Sequence, residues 1–266
     1  MSEDSPDKSV SLINLGSLTK PIDTLTKGLV DGAGAFLSRI SLPAAEEFGL
    51  ALRDKVSSWR TLNAAKIALK AERIMNEQGD VEQKHAHPRL VWATLENGSW
   101  TADEELQDMW AGLLASSCTE GGNDESNLIF VNLLSQLTTS EAKLLTYLCQ
   151  QAQKVTNPIG VVGAYTVEIS KERLMDVTGV NDRHQINREL AHLNALELIH
   201  GQFGSEPETE ETEAYSHLDL LNQWVHTPDF DVANIYPTHL GISLYVRCEG
   251  SLLPPAEYFQ LSSERG

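Results

Sequence analysis

TTSEAKLLTYLCQ at residues 138–150 and YTVEISKERLMDVTGVNDRHQINRELAHLNALELIHGQF at 165–203 decide the fold. Thr138 and Glu141 stand at capping-box spacing and open a helix. Leu145, Leu148, Cys149 and Ala152 give that helix one apolar face. Tyr165–Ile169 is short and β-rich, which predicts a strand. Ser170 caps a short helix over Lys171–Val177, and Gly179 stops it. Asp182 caps a third helix, where Ile186, Leu190, Leu193 and Leu196 recur at helical spacing, and Ile199 and Phe203 lead into extended chain. Helix, strand, short helix, turn, longer helix and strand is the order of a winged helix-turn-helix. Such an order specifies a fold and no reaction.

Upstream, Pro21–Ile40 predicts an amphipathic helix with Ile22, Leu25, Leu29, Phe36 and Ile40 on one face. Gly28, Gly32 and Gly34 weaken it and suggest close packing or a kink. Pro43 suits a first helical turn, and Ala45, Phe48, Leu52, Val56, Trp59, Asn63, Ile67, Ala71 and Ile74 then step by three or four toward a stop at Gly79. The pattern predicts one helix over 43–78, about 50 Å long. Shorter helices follow over His87–Leu95, over 102–117 behind a Thr101/Glu104 capping box, and over Asn127–Leu137. Trp59 and Trp110 fall on apolar faces and are expected in the core.

Beyond the winged-helix stretch, Glu206–Glu213 is an acidic run suited to an exposed wing. Ile235–Cys248 fits either a strand, from the alternation of Leu240, Ile242, Leu244, Val246 and Cys248, or a helix capped by Thr238; the helix is favoured. The expected class is mainly α with a small β component. Residues 1–19 form a flexible tail, 20–137 a helical domain built on the helix 43–78, 138–250 a winged-helix-like domain, and 251–266 a second tail.

The formal net charge of −18 bounds the partners. Residues 1–80 and 139–200 are nearly neutral, and the acid concentrates in 81–138 and 201–266. Phosphate neutralisation drives nucleic-acid binding, so this balance disfavours it. Cys118, Cys149 and Cys248 have neither disulfide nor zinc spacing, which points to a reduced, cytoplasmic setting. The polar N-terminus is no secretory signal, and no apolar run reaches the roughly 20 residues of a spanning helix.

Four sets of residues invite chemistry. Arg183, His184, Asn187, Arg188, His192 and Asn194 fall on the outer side of the third winged-helix helix. Arg183, Asn187 and Arg188 are the types that read base edges, against the alternative of a solvated face. His85 and His87, or His184, His192 and His200, lack the spacing of a chelate, so no metal is expected. Asp103, Glu104, Glu105 and Asp108 suit a helix N-terminus better than a Mg²⁺ site. The glycine-bearing segment 21–40 suits core or dimer packing better than a membrane surface, because Asp23 and Asp31 offset Lys27 and Arg39. No catalytic residue and no cofactor is expected.

EELQDMWAGLLASS (104–117), FVNLLSQLTTSEAKLLTYL (130–148) and YPTHLGISLYVRC (236–248), with PAAEEFGLALRDKV (43–56) upstream, resemble the abortive infection alpha family of bacterial proteins. The resemblance runs from about Lys20 to Cys248 and implies a role in phage defence. It brings no catalytic motif. The sequence therefore predicts a non-enzymatic interaction or sensor protein that meets a protein partner or its own copy through the helical domain. A DNA-binding regulator and a membrane-acting effector through 21–40 are the alternatives.

Overall fold

The computed structural model describes residues 16–53, 58–79, 83–202 and 232–263. The chain is mostly helical with a small sheet component. Helix α1 (Gly16–Ile40) packs along α3 (Ser58–Gln78), with α2 (Leu42–Arg53) between them in sequence. Ala33, Phe36, Leu37 and Ile40 of α1 are buried, as are Ala64, Ala65, Ile67, Ala68 and Ala71 of α3. The run of alanines lets the two helix backbones come close. Where one helix was expected over 43–78, α2 and α3 occupy the two ends, and the junction 54–57 lies outside the described residues. Asn63, the polar member of that periodic series, is buried. Its amide donates to the Ser99 carbonyl at 3.1 Å and its Oδ1 accepts from Gln107 at 3.3 Å.

Trp110 is core, as expected, but Trp59 is 43% exposed. It meets the Trp100 ring edge-on, and the Arg60 guanidinium covers Trp100 at 3.9 Å. Trp59 sits in the first turn of α3, ahead of the stretch that α1 covers, so its helical periodicity finds no partner wall.

Helix α4 (Pro88–Gly98) starts behind His87, and α5 (Glu104–Ala115) behind Asp103, whose carboxylate accepts from the Leu106 N–H at 3.0 Å. The α5 cap is thus Asp103 in place of the expected Thr101, because an aspartate directly ahead of the apolar run supplies the same acceptor. Helix α6 spans Leu128–Leu134, and α7 Thr139–Gln151 carries the predicted Thr138/Glu141 capping box.

A hairpin absent from the sequence-based expectation follows. Strands β1 (Lys154–Thr156) and β2 (Val162–Ala164) pair antiparallel. Asn157 Oδ1 accepts from the Ile159 and Val161 N–H groups, and Gly160 takes a φ of 82°. Then come β3 (Val167–Ser170), α8 (Lys171–Thr178), α9 (Arg183–Ala195), β4 (Ile199–Gln202) and β5 (Val232–Pro237). Ser170, Gly179 and Asp182 cap and stop α8 and α9 as their sequence predicts. The three strands form an antiparallel sheet in the order β3-β5-β4. Along β5 the odd positions Ala233, Ile235 and Pro237 are buried. Phe203 and the acidic run 206–213 lie outside the described residues.

Helix α10 (His239–Cys248), capped by Thr238, resolves the ambiguous C-terminal stretch in favour of helix from 239 onward, with strand before it. It packs on both α5 and α7. The approach to α5 is backbone to backbone: a Cβ placed on Gly112 would stand 1.6 Å from the Cys248 carbonyl oxygen. Buried residues of α1, α3, α5, α7, α9, the sheet and α10 form one continuous apolar cluster. The expected tail after 250 instead carries α11 (Pro255–Ser263), because Ala256, Tyr258 and Phe259 find apolar surface to pack against. At the other end, α1 already begins at Gly16, inside the expected N-terminal tail.

Candidate functional site

The C-terminal part of α3, the first turns of α5, the face of α7, the end of α8 and the end of α10 converge on a groove of about 990 Å³. Its floor is apolar, from Leu106, Met109, Ala142 and Val177, with Tyr147 at one side. Its walls carry Glu77, Glu105, Asp108, Asp176 and Glu249, against Lys143 as the one cation among the described lining residues. Gln78 fixes the α10 end of the groove by donating to the Gly250 carbonyl at 3.0 Å. At the α8 end, Arg173 donates to the Tyr147 hydroxyl at 3.4 Å and lies over its ring.

The wall carboxylates differ in how far they are neutralised. Lys70 reaches Asp108 and Glu104, each at 2.7 Å, and Lys143 stands 3.9 Å from Glu105 and 4.0 Å from Asp103. Lys70 loses solvent, which pulls its ammonium down, yet Asp108 and Glu104 hold it above its ordinary value. Glu77, Asp176 and Glu249 have no Lys, Arg or His within ion-pair distance among the described residues. Desolvation pushes the Glu249 carboxyl above its usual range, a hydrogen bond from Tyr245 pulls it back, and nearby Asp108 pushes it up again. The groove residues come from five elements, and 175 positions of sequence separate the first, Ile74, from the last, Glu249. No local motif could announce it; the concentration of acid in 81–138 covers only Glu105 and Asp108 of its walls.

The expected Mg²⁺ alternative at Asp103, Glu104, Glu105 and Asp108 dissolves into caps and lysine pairs, and no group of three metal-ligating side chains forms among the described residues. Four of the five candidate histidines are engaged elsewhere, and His184 is exposed on α9. His87 caps α4, and His85 Nδ1 lies 3.2 Å from the Arg39 carbonyl. His192 Nδ1 lies 2.7 Å from buried Glu141, and His200 pairs with Asn194. A carboxylate only accepts, so His192 carries a proton on Nδ1. That bond ties α9 to the capping box of α7.

Arg183, His184 and Arg188 are exposed on α9, and Asn187 is half-buried. The surroundings are not a basic patch: Lys171, Arg173, Arg183 and Arg188 of α8 and α9 are interleaved with Glu172, Asp176, Asp182 and Glu189. Glu189 is buried, with one oxygen on Gln185 and the other unpartnered. Helix α1 turns Phe36, Leu37 and Ile40 inward, and no described helix is long and apolar enough to cross a membrane.

The three thiols are buried. Desolvation pushes Cys118 and Cys149 up to about 12, partly opposed by Lys84 and Lys154 respectively, and pushes Cys248 upward as well. Protonated thiols are poor nucleophiles. Ellman's reagent at pH 8 is expected to label none of them in the folded chain and all three in guanidinium. The unfolded chain releases those protons from about pH 9, so stability is expected to fall as pH climbs from there toward 12. Rapid native labelling at any of the three would contradict this burial.

A family model described as abortive infection alpha matches residues 62–248. No curated protein and no solved structure matches the chain. The matched span begins in α3 and ends at the last residue of α10, so it takes in almost every element that walls the groove.

Proposed function

The chain belongs to the abortive infection alpha family, and from that membership we propose that it serves bacterial anti-phage defence as a non-enzymatic interaction or sensor protein in the cytoplasm. The observation that carries this reading is the groove. It is large enough for part of a partner, apolar below and charged above, and beside its carboxylates, Lys143 and Tyr147 the one thiol it reaches, Cys248, is held protonated by burial. Exposed Trp59 and Trp100, held by Arg60, add a rigid aromatic surface of the kind enriched in protein interfaces. We divide the molecule into a helical part, 20–137, and a winged-helix-like part, 138–250. The order α7, β3, α8, α9, β4, β5 and the β3-β5-β4 sheet support the second assignment. In that frame the winged helix docks protein.

A DNA-binding regulator is the second reading, favoured by the outward placement of Arg183 and Arg188 on α9. A membrane-acting role through 21–40 has less to draw on, because Ala33–Ile40 gives its apolar face to the core.

The test joins two measurements on the full chain. Expressed in a phage-challenged host, it is expected to lower plaque counts, and crosslinking before and after infection is expected to identify a protein that rebinds it when both are purified. The R183A/R188A variant is expected to keep that binding. A DNA complex that weakens with salt and is lost in R183A/R188A would favour the regulator instead. Turnover of a nucleic acid, nucleotide or peptide, abolished by a point substitution, would remove the non-enzymatic reading.

A further inference from the structure

We propose that the groove between α3, α5, α7, α8 and α10 receives a basic, amphipathic segment of a partner protein, its apolar side chains on the Met109 floor and its Lys or Arg side chains on the carboxylate walls. The proposal rests on the interaction reading above and gives the partner its chemistry. Three observations carry it.

The floor and the walls ask for different things from one occupant. Ile74, Tyr147 and Val177 line the groove half-buried over the buried Leu106, Met109 and Ala142, and gain from a hydrophobic side chain laid on them. Above them, Glu77, Asp176 and Glu249 face the opening with no ion-pair partner among the described residues. A partner with alternating apolar and cationic side chains satisfies both. An amphipathic helix laid in a groove presents them at i, i+3, i+4 and i+7.

Charge also excludes the chain itself as occupant. Residues 203–231 hold eight acidic and no lysine or arginine residues, and residues 1–15 hold three acids and one lysine. A second copy brings a further −18. Nucleic acid is turned away by the same walls. What remains attractive is a cationic partner, and carboxylates at the rim speed its arrival as well as hold it.

The size fits a segment better than a lone side chain or a small cation. About 990 Å³ is at the upper end of small-ligand pockets. The groove is open, so its occupant can enter and leave as part of a longer chain.

The experiment uses the full-length protein and a fluorescein-labelled synthetic peptide with Leu and Lys at helical spacing, read by anisotropy at about 0.15 M salt, where exposed charges more than about 8 Å apart are screened. Its Gln-for-Lys counterpart is the uncharged control. The peptide is expected to bind wild type at least tenfold more tightly than its counterpart does. E77K/D176K in the groove is expected to weaken it at least tenfold, while E46K/E47K on α2, which changes net charge equally, leaves it within twofold. The Met109 methyl resonance, one of four from methionine, is expected to move on peptide addition to wild type, a readout that does not depend on any variant folding. Equal weakening in both double variants would mean attraction to overall charge and would overturn the groove. So would spermidine binding as tightly as the peptide, or an unmoved Met109 signal. If the peptide fails while a purified phage-infection partner still binds elsewhere on the chain, the groove proposal falls and the interaction reading stands.

Discussion

Gly112→Ala is expected to cost about 3 kcal/mol or more, enough to unfold a marginal domain. The added methyl has no direction in which to relax. Its nearest neighbours are the Cys248 carbonyl oxygen at 1.6 Å, the Cys248 carbonyl carbon at 2.4 Å and the Gly250 nitrogen at 2.9 Å, all backbone. Relief requires α10 to slide away from α5, which opens the buried packing between the two helices. Gly34→Ala is the matched comparison. A Cβ there meets nothing within 4 Å, so the same chemical change in a helix interior is expected to stabilise by about 0.5–1 kcal/mol. Urea denaturation of both variants tests the pair. A G112A midpoint within error of wild type would show that α10 does not sit on α5 as described.

Glu141→Ala is expected to cost about 3 kcal/mol. Glu141 is 1% exposed and serves three groups at once: the Thr138 N–H at 2.7 Å, the Thr138 hydroxyl at 3.1 Å and His192 at 2.7 Å. Losing a helix cap costs about 1 kcal/mol, and losing the further hydrogen bond between the carboxylate and His192 adds about 1.5–3 more. Glu141→Gln separates hydrogen bonding from charge. Its carbonyl can still accept from Thr138, while its amide can bond to His192 only once the imidazole moves its proton from Nδ1 to Nε2, so a loss of about 1 kcal/mol, well below that of Ala, is expected. If Ala and Gln cost the same, the bonds described here do not hold α7 to α9. Faster hydrogen exchange at Thr138 in the Ala variant, with protection kept in wild type and the Gln variant, would be the local readout.

Much of the secondary structure was legible because it is written locally. Thr138, Ser170, Asp182 and Thr238 each put an acceptor directly ahead of an apolar period, and each caps its helix. Gly179 marks its stop with a left-handed φ of 70°. The features that escaped depend on what lies far away in sequence. The β1-β2 hairpin has an exposed tip, with Ile159 83% exposed, and of its strand residues only Val162 is buried, which is too little to produce a pattern. Strand β5 draws its register from β3 and β4, which lie upstream on either side of α8 and α9. Trp59 has helical spacing and no wall to meet. The groove is the extreme case, because each of its acids reads alone as an ordinary solvated residue. Gly112 shows the reverse: its WAGLL setting looks like any apolar helix, and only the arrival of Cys248 makes the missing side chain obligatory.

The late position of α10 has a bearing on biosynthesis. Helices α5 and α7 end 117 and 81 positions ahead of the strand that begins the layer completing their packing. A nascent chain emerges N-terminus first at about 5–20 residues per second. Until residues 232–248 leave the ribosome, α5 and α7 lack the layer that shields them from chaperones and proteases. A stop codon or frameshift anywhere before 239 would therefore yield a polypeptide destined for degradation, and not a shortened working version.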